Sequence, residues 1–465
     1  MTTFAKVAAV LAFAPLALPS ASSAPATPDA ATTTFPSTDA KVTAFNPAPQ
    51  RPDIFNGFSM SGAMAEATWS VVPSPNKGPA SDDNDLESVS CTSASACTAV
   101  GDFASATITK TLVESWDGTR WSVVPSPNEG PASYRQGVVN GVPPGNAFSG
   151  VSCTSASACT AVGSFGGRNG GQFKTLVESW DGTRWSVVPS PNEGPASGSN
   201  ELWGVSCRSA SACTAVGNII TNGNHYKTLV ESWDGTRWSV VPSPNEGPVS
   251  DDNQLYGVSC PSASACTAVG GIAGRNGGQF KTLIESWDGT RWSVVPSPNG
   301  PNEESHIYHL YNVSCPSASA CTAVGTFGHL KGTKGSDYQT FVESWDGTRW
   351  SVVPSPNGPN EGEPNYDQLW DVSCPSASAC TAVGSFGYSS DETLVESWNG
   401  ARWSVVPSPD VGLAFDHNDL LGVSCTSASL CTAVGSFAPN YVFTTTGDMT
   451  LVESWDGAKG PSVET

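Results

Sequence analysis

Basic charge is scarce in this sequence. Lys and Arg number 21 in 465 residues against 42 Asp and Glu, and no run of them is long enough to build a phosphate-tracking groove. That balance excludes net attraction to nucleic acid or to an anionic membrane surface, and leaves neutral, cationic or glycan partners. Long apolar runs are also missing. Apart from a short one at residues 7–18, no stretch approaches the ~20 residues needed to span a bilayer, and the closing GPSVET reads as neither an anchor nor a sorting signal. Local catalytic signatures are absent as well, with no G-x-S-x-G, H-E-x-x-H or phosphate-binding loop.

What is present is repetition. Near-verbatim copies of TLVESWDGTRWSVVPSPN alternate with copies of GVSCTSASACTAVG, giving a unit of roughly fifty-five residues written seven times. From Trp121 the second Trp of each motif recurs at Trp185, Trp238, Trp292, Trp350 and Trp403, in steps of 53 to 64 residues. Uneven steps place the insertions in loops.

The sequence divides into three parts. Lys6, the apolar run and Ala24-Pro25-Ala26 read as a secretory signal over residues 1–26 with an A-x-A cleavage site. Residues 27–65 are rich in Pro, Ala, Thr and Ser, the composition of a linker that buries no core. Residues 66–465 carry the repeats. The fourteen cysteines form seven pairs with five residues between partners: Cys91/Cys97, Cys153/Cys159, Cys207/Cys213, Cys260/Cys266, Cys315/Cys321, Cys374/Cys380 and Cys425/Cys431. Strict pairing beside an export signal argues for disulfides, hence a secreted, extracellular chain. The spacing is not C-x-x-C and no His recurs beside the pairs, so no metal is assigned to them.

Each unit reads as four short strands, in the first unit about 86–91, 97–103, 111–116 and 120–125. The first two are stapled by the cysteines. The last two are joined by Asp117-Gly118, read as a type I′ hairpin. Seven such units predict an all-β, seven-bladed β-propeller of four-stranded antiparallel blades. A surplus fourth strand from Trp69 at one end and a missing one after Gly457 at the other predict that the ring closes by pairing the two termini.

The segment Ser115-Trp116-Asp117-Gly118-Thr119-Arg120-Trp121 resembles a shortened Asp-box, the S-x-D-x-G-x-T-W hairpin of BNR-type propellers such as sialidases, sortilins and photosystem assembly factors. It is one residue shorter than that pattern. In that family the box lies between the third and fourth strands of a blade, which implies the same place here. With VSC-x5-C-x-AVG, the chain also resembles exported repeat proteins of Gram-positive soil bacteria.

An antiparallel meander puts the repeated first–second and third–fourth turns on one face, and the variable second–third loops and crossovers on the other. Specificity is expected on the variable face. After the leading apolar residue of strand one stand Glu87, Ser149, Trp203, Tyr256, Tyr311, Trp370 and Leu421. Fourteen of the sixteen Trp belong to the repeat, and Trp203 and Trp370 depart from it. Trp203, Tyr256, Tyr311 and Trp370 are therefore the candidate ligand-binding residues, suited to stacking on sugar rings, with inter-blade packing the alternative. All five His (His225, His306, His309, His329, His417) fall in the variable segments; His306 and His309 alone make an incomplete metal site. The acidic clusters 82–85, 251–253 and 416–419 suggest Ca²⁺ or ordinary Asx turns, and no cofactor is assigned. Outside the repeated motif the propeller has only Arg135, Arg168, Arg208 and Arg275, too few for a sialidase-like site.

No catalytic residue is assigned. The first reading is a monomeric, non-catalytic binding module that recognises a glycan, cell-wall polymer or extracellular protein. The alternatives are an extracellular polysaccharide hydrolase or lyase using carboxylates such as Asp337, Asp367, Asp371 and Asp391, and a purely structural surface protein. Paired carboxylates with raised pKa would favour the enzyme; a flat aromatic arc would favour binding.

Overall fold

The computed structural model describes residues 68–457 apart from 106–107, 130–144, 167–171, 196–197, 222–224, 248–250, 275–279, 300–305, 331–335, 360–365, 388–390, 413–415 and 440–446. The signal and linker segments lie outside the described residues.

The described residues form twenty-eight strands in seven four-stranded antiparallel blades, two of which, blades 4 and 5, are joined into one sheet by a parallel pairing of Phe280 with Ile307. Blade 1 is built from Asp83–Ser93, Ala96–Ala104, Thr109–Trp116 and Trp121–Val123. Blades 2 to 6 span 146–187, 199–240, 252–294, 306–352 and 368–405. Blade 7 takes its first three strands from 417–456 and its fourth, Trp69–Val71, from the other end of the chain. That fourth strand pairs antiparallel with Met449–Asp456, Trp69 opposite Trp455, which closes the ring as expected. The strand-one and strand-two segments are longer than the apolar pattern suggests, because the ladder continues into the polar residues before Leu86 and its equivalents.

Both faces of each blade are buried, which explains why the strands read as nearly unbroken apolar runs. Leu86, Ala99, Leu112 and Trp121 of blade 1 pack against Val434 and Val452 of blade 7. The same layers recur between the other neighbours.

All seven disulfides form, each bridging the first two strands of its blade, with Cys91 opposite Cys97 in register. They are more than staples on a hairpin. The second cysteine of each pair is a core residue: Cys97, Cys159, Cys213, Cys266, Cys321, Cys380 and Cys431 are all buried within the apolar clusters between blades. Their sulfurs also touch a neighbouring blade. Cys213 Sγ lies 3.7 Å from Thr160 Oγ1, Cys321 Sγ 3.8 Å from Thr267, Cys380 Sγ 3.7 Å from Thr322 and Cys431 Sγ 3.6 Å from Thr381. The pairing expected from the sequence is therefore borne out, and the structure adds that one sulfur of each pair belongs to the inter-blade core. Apolar sulfur is packed inward because strand two faces the next blade.

The rest of the repeated text joins blade to blade. The Ser before each first cysteine accepts a hydrogen bond from the next blade's cysteine N–H, as Ser152 does from Cys207 at 2.9 Å and Ser424 from Cys91 at 2.9 Å. Each PSPN serine donates to the buried third-strand Glu of the following blade, from Ser74 to Glu114 at 2.6 Å round to Ser408 to Glu453 at 2.6 Å. The PSPN asparagine caps its own blade, accepting from Thr111 N–H at 3.1 Å in blade 1.

The Asp-Gly turns differ from expectation. Trp116 pairs with Trp121, so the loop holds four residues rather than the two of a type I′ hairpin. Asp117 Oδ1 fixes it by accepting from Thr119 N–H, Thr119 O–H and Arg120 N–H, while Gly118 takes the left-handed φ of 93°.

Candidate functional site

The first strand of every blade carries a β-bulge at the same place. Register shifts fall between Leu86 and Ser88, Phe148 and Gly150, Leu202 and Gly204, Leu255 and Gly257, Leu310 and Asn312, Leu369 and Asp371, and Leu420 and Gly422. The extra residue is the variable one: Glu87, Ser149, Trp203, Tyr256, Tyr311, Trp370 or Leu421. The bulge presses the strand-one backbone onto strand two, which is why AVG ends in glycine. A Cβ on Gly270 would stand 1.9 Å from the Gln254 carbonyl oxygen, and the other blades repeat this at 1.9 to 2.1 Å.

The structure brings the four candidate aromatics together. Ring centroids of Trp203 and Tyr256 lie 6.4 Å apart, Tyr256 and Tyr311 6.0 Å, and Tyr311 and Trp370 4.5 Å. The arc is not flat and open. Tyr256 and Tyr311 are 8% and 7% exposed, whereas Trp203 and Trp370 stay half-buried. Trp203 donates to Asn218 at 2.7 Å, and Asn218 donates to Glu201 at 3.2 Å. Tyr311 Oη, Trp370 Nε1 and both ring nitrogens of His309 are buried with no hydrogen-bond partner in the protein, an arrangement that water or a bound polar molecule would satisfy. His309 stacks on Tyr311 and packs on Phe280; burial pushes its pKa down to about 4, so the ring is neutral.

Asp391, Asp419 and His417 meet where blades 6, 7 and 1 adjoin. His417 Nδ1 lies 3.0 Å from Asp391 Oδ2, and that hydrogen bond raises the His417 pKa. Asp419 is part-exposed, yet desolvation by surrounding protein raises its pKa, with the Asp391 charge adding to the effect and a Ser385 hydrogen bond and His417 opposing it. The charge of Asp85, from blade 1, acts in the same direction as Asp391. Asp85 itself is buried opposite Asp102 in register. In blade 3, burial likewise raises Glu201.

The other carboxylates named from the sequence have different surroundings. Asp371 is buried and pushed up to about 7 by desolvation, but its oxygens accept from Asn312, Val372 N–H and Val423 N–H. It ties blades 5, 6 and 7 together. Asp367 is buried, and its N–H donates to Tyr338. Asp337 lies opposite His329 in the ladder of blade 5. The acidic clusters are organised by asparagine: Asn84, Asn253 and Asn418 each bind the crossover backbone, as in Asn253 accepting from Glu246 N–H at 2.9 Å. Among the described residues no group of three or more His, Cys, Asp or Glu is placed to hold a metal ion.

Sequence reasoning missed Glu201, and named Asp419 only within the 416–419 cluster read as a Ca²⁺ site or an Asx turn. They belong to the column just before the strand-one apolar residue, which reads Asp85, Ala147, Glu201, Gln254, His309, Gln368 and Asp419. Reading that column beside the bulge column would have found them.

No protein-family model matches the chain, and no curated protein matches it in sequence. Among solved structures it resembles the GH74 xyloglucanase of Xanthomonas campestris, at 11% identity and a TM-score of 0.46, over 83% of this chain and 55% of that one. The chain thus spans about half the length of that enzyme. It also resembles an α-L-arabinofuranosidase of Fusarium graminearum, at 11% identity and a TM-score of 0.40, over 66% of this chain and 91% of that one. The SapL1 lectin, in complex with α-methyl fucoside, follows at 12% identity and a TM-score of 0.37, over 63% and 91%. These are likenesses of fold, between this chain and β-propellers. The non-catalytic binding module named first is not what these neighbours mainly are: most are glycoside hydrolases, and the likeness is one of fold alone.

Proposed function

We propose that this protein is an exported polysaccharide-degrading enzyme, a hydrolase or lyase, working on the variable face of a seven-bladed propeller. The observation that carries the reading is Asp419: a part-exposed carboxyl with a raised pKa, adjacent to Asp391, whose partner is His417. Glycoside cleavage needs one carboxyl that still holds a proton near neutral pH and a second group that attacks or activates water. Asp419 is assigned the acid role and Asp391 the base or nucleophile role. His417 orients Asp391. Trp203 and Trp370, the half-buried rings of the aromatic cluster, then offer apolar faces on which sugar residues lie, with Tyr256 and Tyr311 packed between them. The substrate class is a neutral extracellular or cell-wall glycan.

The finer sequence readings fit this proposal. Residues 1–26 act as the export signal, 27–65 as a tether and 66–465 as the catalytic propeller, and the W-D-G-T-R-W hairpins are its Asp-box-like turns. Seven disulfides suit an oxidising, extracellular compartment.

The test is to incubate the mature chain with arabinan, xyloglucan and other wall polysaccharides, following reducing ends and the ultraviolet absorbance of unsaturated products. Release by the native chain that Asp419→Asn abolishes supports the proposal. No release from any polymer, or release that survives Asp419→Asn, overturns it.

A further inference from the structure

The repeated face, which the pattern of variation marks as scaffold, holds a cavity of its own. Between blades 2 and 3 lies a space of about 180 Å³. At ~30 Å³ per molecule in liquid water it has room for about six waters, the size of a single sugar ring with its hydroxyls. Its walls are of two kinds. Trp180, Trp233 and Trp238 supply indole surface, and Thr154, Thr160 and Ser179 supply hydroxyls. Both Trp180 and Trp233 are half-buried, fixed by hydrogen bonds from their ring N–H to the carbonyls of Ala156 and Ala210 at 3.2 and 3.1 Å. No ionisable side chain lines the cavity, so the site discriminates against charged ligands, which would lose hydration without gaining a partner.

We propose that this inter-blade cleft binds one residue of a neutral glycan, its apolar ring face against the tryptophans and its hydroxyls toward Ser179, Thr160 and Thr154. It is separate from the carboxylate site and does not rest on the enzymatic reading. The lining is framework text, so it recurs. Trp116, Trp180, Thr98 and Ser115, with Thr92, stand in the corresponding places between blades 1 and 2, and Trp455, Trp116, Thr432 and Ser454, with Thr426, between blades 7 and 1. The one lining position that changes freely is that of Thr154, which reads Thr92, Thr154, Arg208, Pro261, Pro316, Pro375 and Thr426 round the ring. Clefts around one rigid disc would engage successive sugars of one polymer or several chains, so weak sites would sum to strong retention.

The experiment titrates the full mature chain with methyl β-glucoside, methyl β-xyloside and methyl α-L-arabinofuranoside, reading tryptophan fluorescence and counting bound sugars by native mass spectrometry. The catalytically disabled Asp419→Asn form is titrated in parallel. More than one site per chain is expected, retained in Asp419→Asn. Ser179→Tyr, which fills the cleft, is expected to remove one site. Thr154→Arg copies the residue that blade 3 already carries as Arg208, so it keeps the fold, and it is expected to weaken one site at least tenfold. Absence of sugar binding in the native chain overturns the proposal. So does binding that neither variant alters.

Discussion

The two faces of this propeller obey different rules. On the repeated face the same side chains perform the same task from blade to blade: Cys and Ser join inner strands, Asp117 and its copies, with Asn399 in blade 6, hold the four-residue turns of blades 1 to 6, and Ser–Glu pairs bridge neighbours. On the variable face the same two columns of the inner strand hold Asp, Glu, Gln, His, Trp, Tyr or Leu in different blades. Their backbone setting is constant, because the bulge and its facing glycine are in all seven. A uniform bulge therefore acts as a rigid mount for non-uniform chemistry, and substitutions on the two faces should fail in different ways.

The largest expected effect is on the mount. Gly270→Ala places a methyl 1.9 Å from the Gln254 carbonyl oxygen, a backbone clash that no rotamer relieves. We expect a loss of several kcal/mol, seen as a collapse of the thermal midpoint or failure to fold. If the variant melts with the native chain, the bulge is not a rigid mount.

Asp419→Asn should do the reverse. Activity should fall by about 10²- to 10⁴-fold, the range for removing a general acid, while the melting midpoint stays or rises, because the raised pKa of Asp419 marks a carboxylate that costs energy to keep charged. A matching loss of stability would mean that the residue is scaffold and erase the distinction between the faces.

The pH dependence tests the scaffold alone. Burial raises the seven inter-blade glutamates to about 7 to 8, from Glu114 to Glu453, against an ordinary value of 4.5. Their contribution is fully present below 4.5 and is lost as pH rises through 7 to 8. The nearest charges reinforce this: Glu129 faces Glu178, Glu193 faces Glu231, Asp367 faces Glu396 and Asp410 faces Glu453. The exposed turn aspartates have the opposite sign. Hydrogen bonds lower Asp181, Asp234, Asp288 and Asp346 to about 2 from 3.8, so their contribution is present above 3.8 and lost as pH falls through 2. Stability should peak near pH 4, between the ordinary values of the two sets, and decline from about pH 4.5 until the glutamates are ionised at 7 to 8. Differential scanning calorimetry should show the midpoint falling by about 10 °C or more from pH 5 to pH 9, with a smaller fall in Glu285→Gln. A flat profile would contradict the buried Ser–Glu latches.

The smallest effect is expected from a single staple. Replacing Cys260 and Cys266 together by Ser closes no other loop and should cost about 2 kcal/mol on the chain-entropy account, measured by denaturant unfolding. A much larger cost would show that core packing of the sulfur, or the inner-strand contact made by Cys260 N–H and Ser206 at 3.0 Å, outweighs the closed loop.

Much of the fold was legible in the text. The sevenfold spacing, the Cys pairs and the offset ends gave blade number, disulfides and ring closure, because each is a local pattern multiplied by seven. That Cys213, Cys321, Cys380 and Cys431 would also pack as core against the neighbouring blade was not legible, since their Thr neighbours lie some fifty or more positions away. The site was legible only in part. Trp203, Tyr256, Tyr311 and Trp370 stood out as departures from the repeat, and the structure does set them in contact. Asp419 did not stand out, because in sequence it is one acid within an acidic loop. Its raised pKa comes from burial, from Asp391, 28 positions away in the preceding blade, and from Asp85, which is 334 positions away and adjacent only because the ring closes. The type I′ reading of Asp-Gly failed for a local reason: the Asp carboxylate recruits Thr119 and Arg120 into the loop.

The sequence alone determined the blade, because strand, staple and turn depend on residues close in the chain. It also determined that there are seven, by simple repetition. Tertiary structure decided which carboxyls are charged, which aromatics are covered and where cavities open between blades. Those properties depend on desolvation and on neighbours from adjacent blades, and the chain places such neighbours together only after the ring has formed.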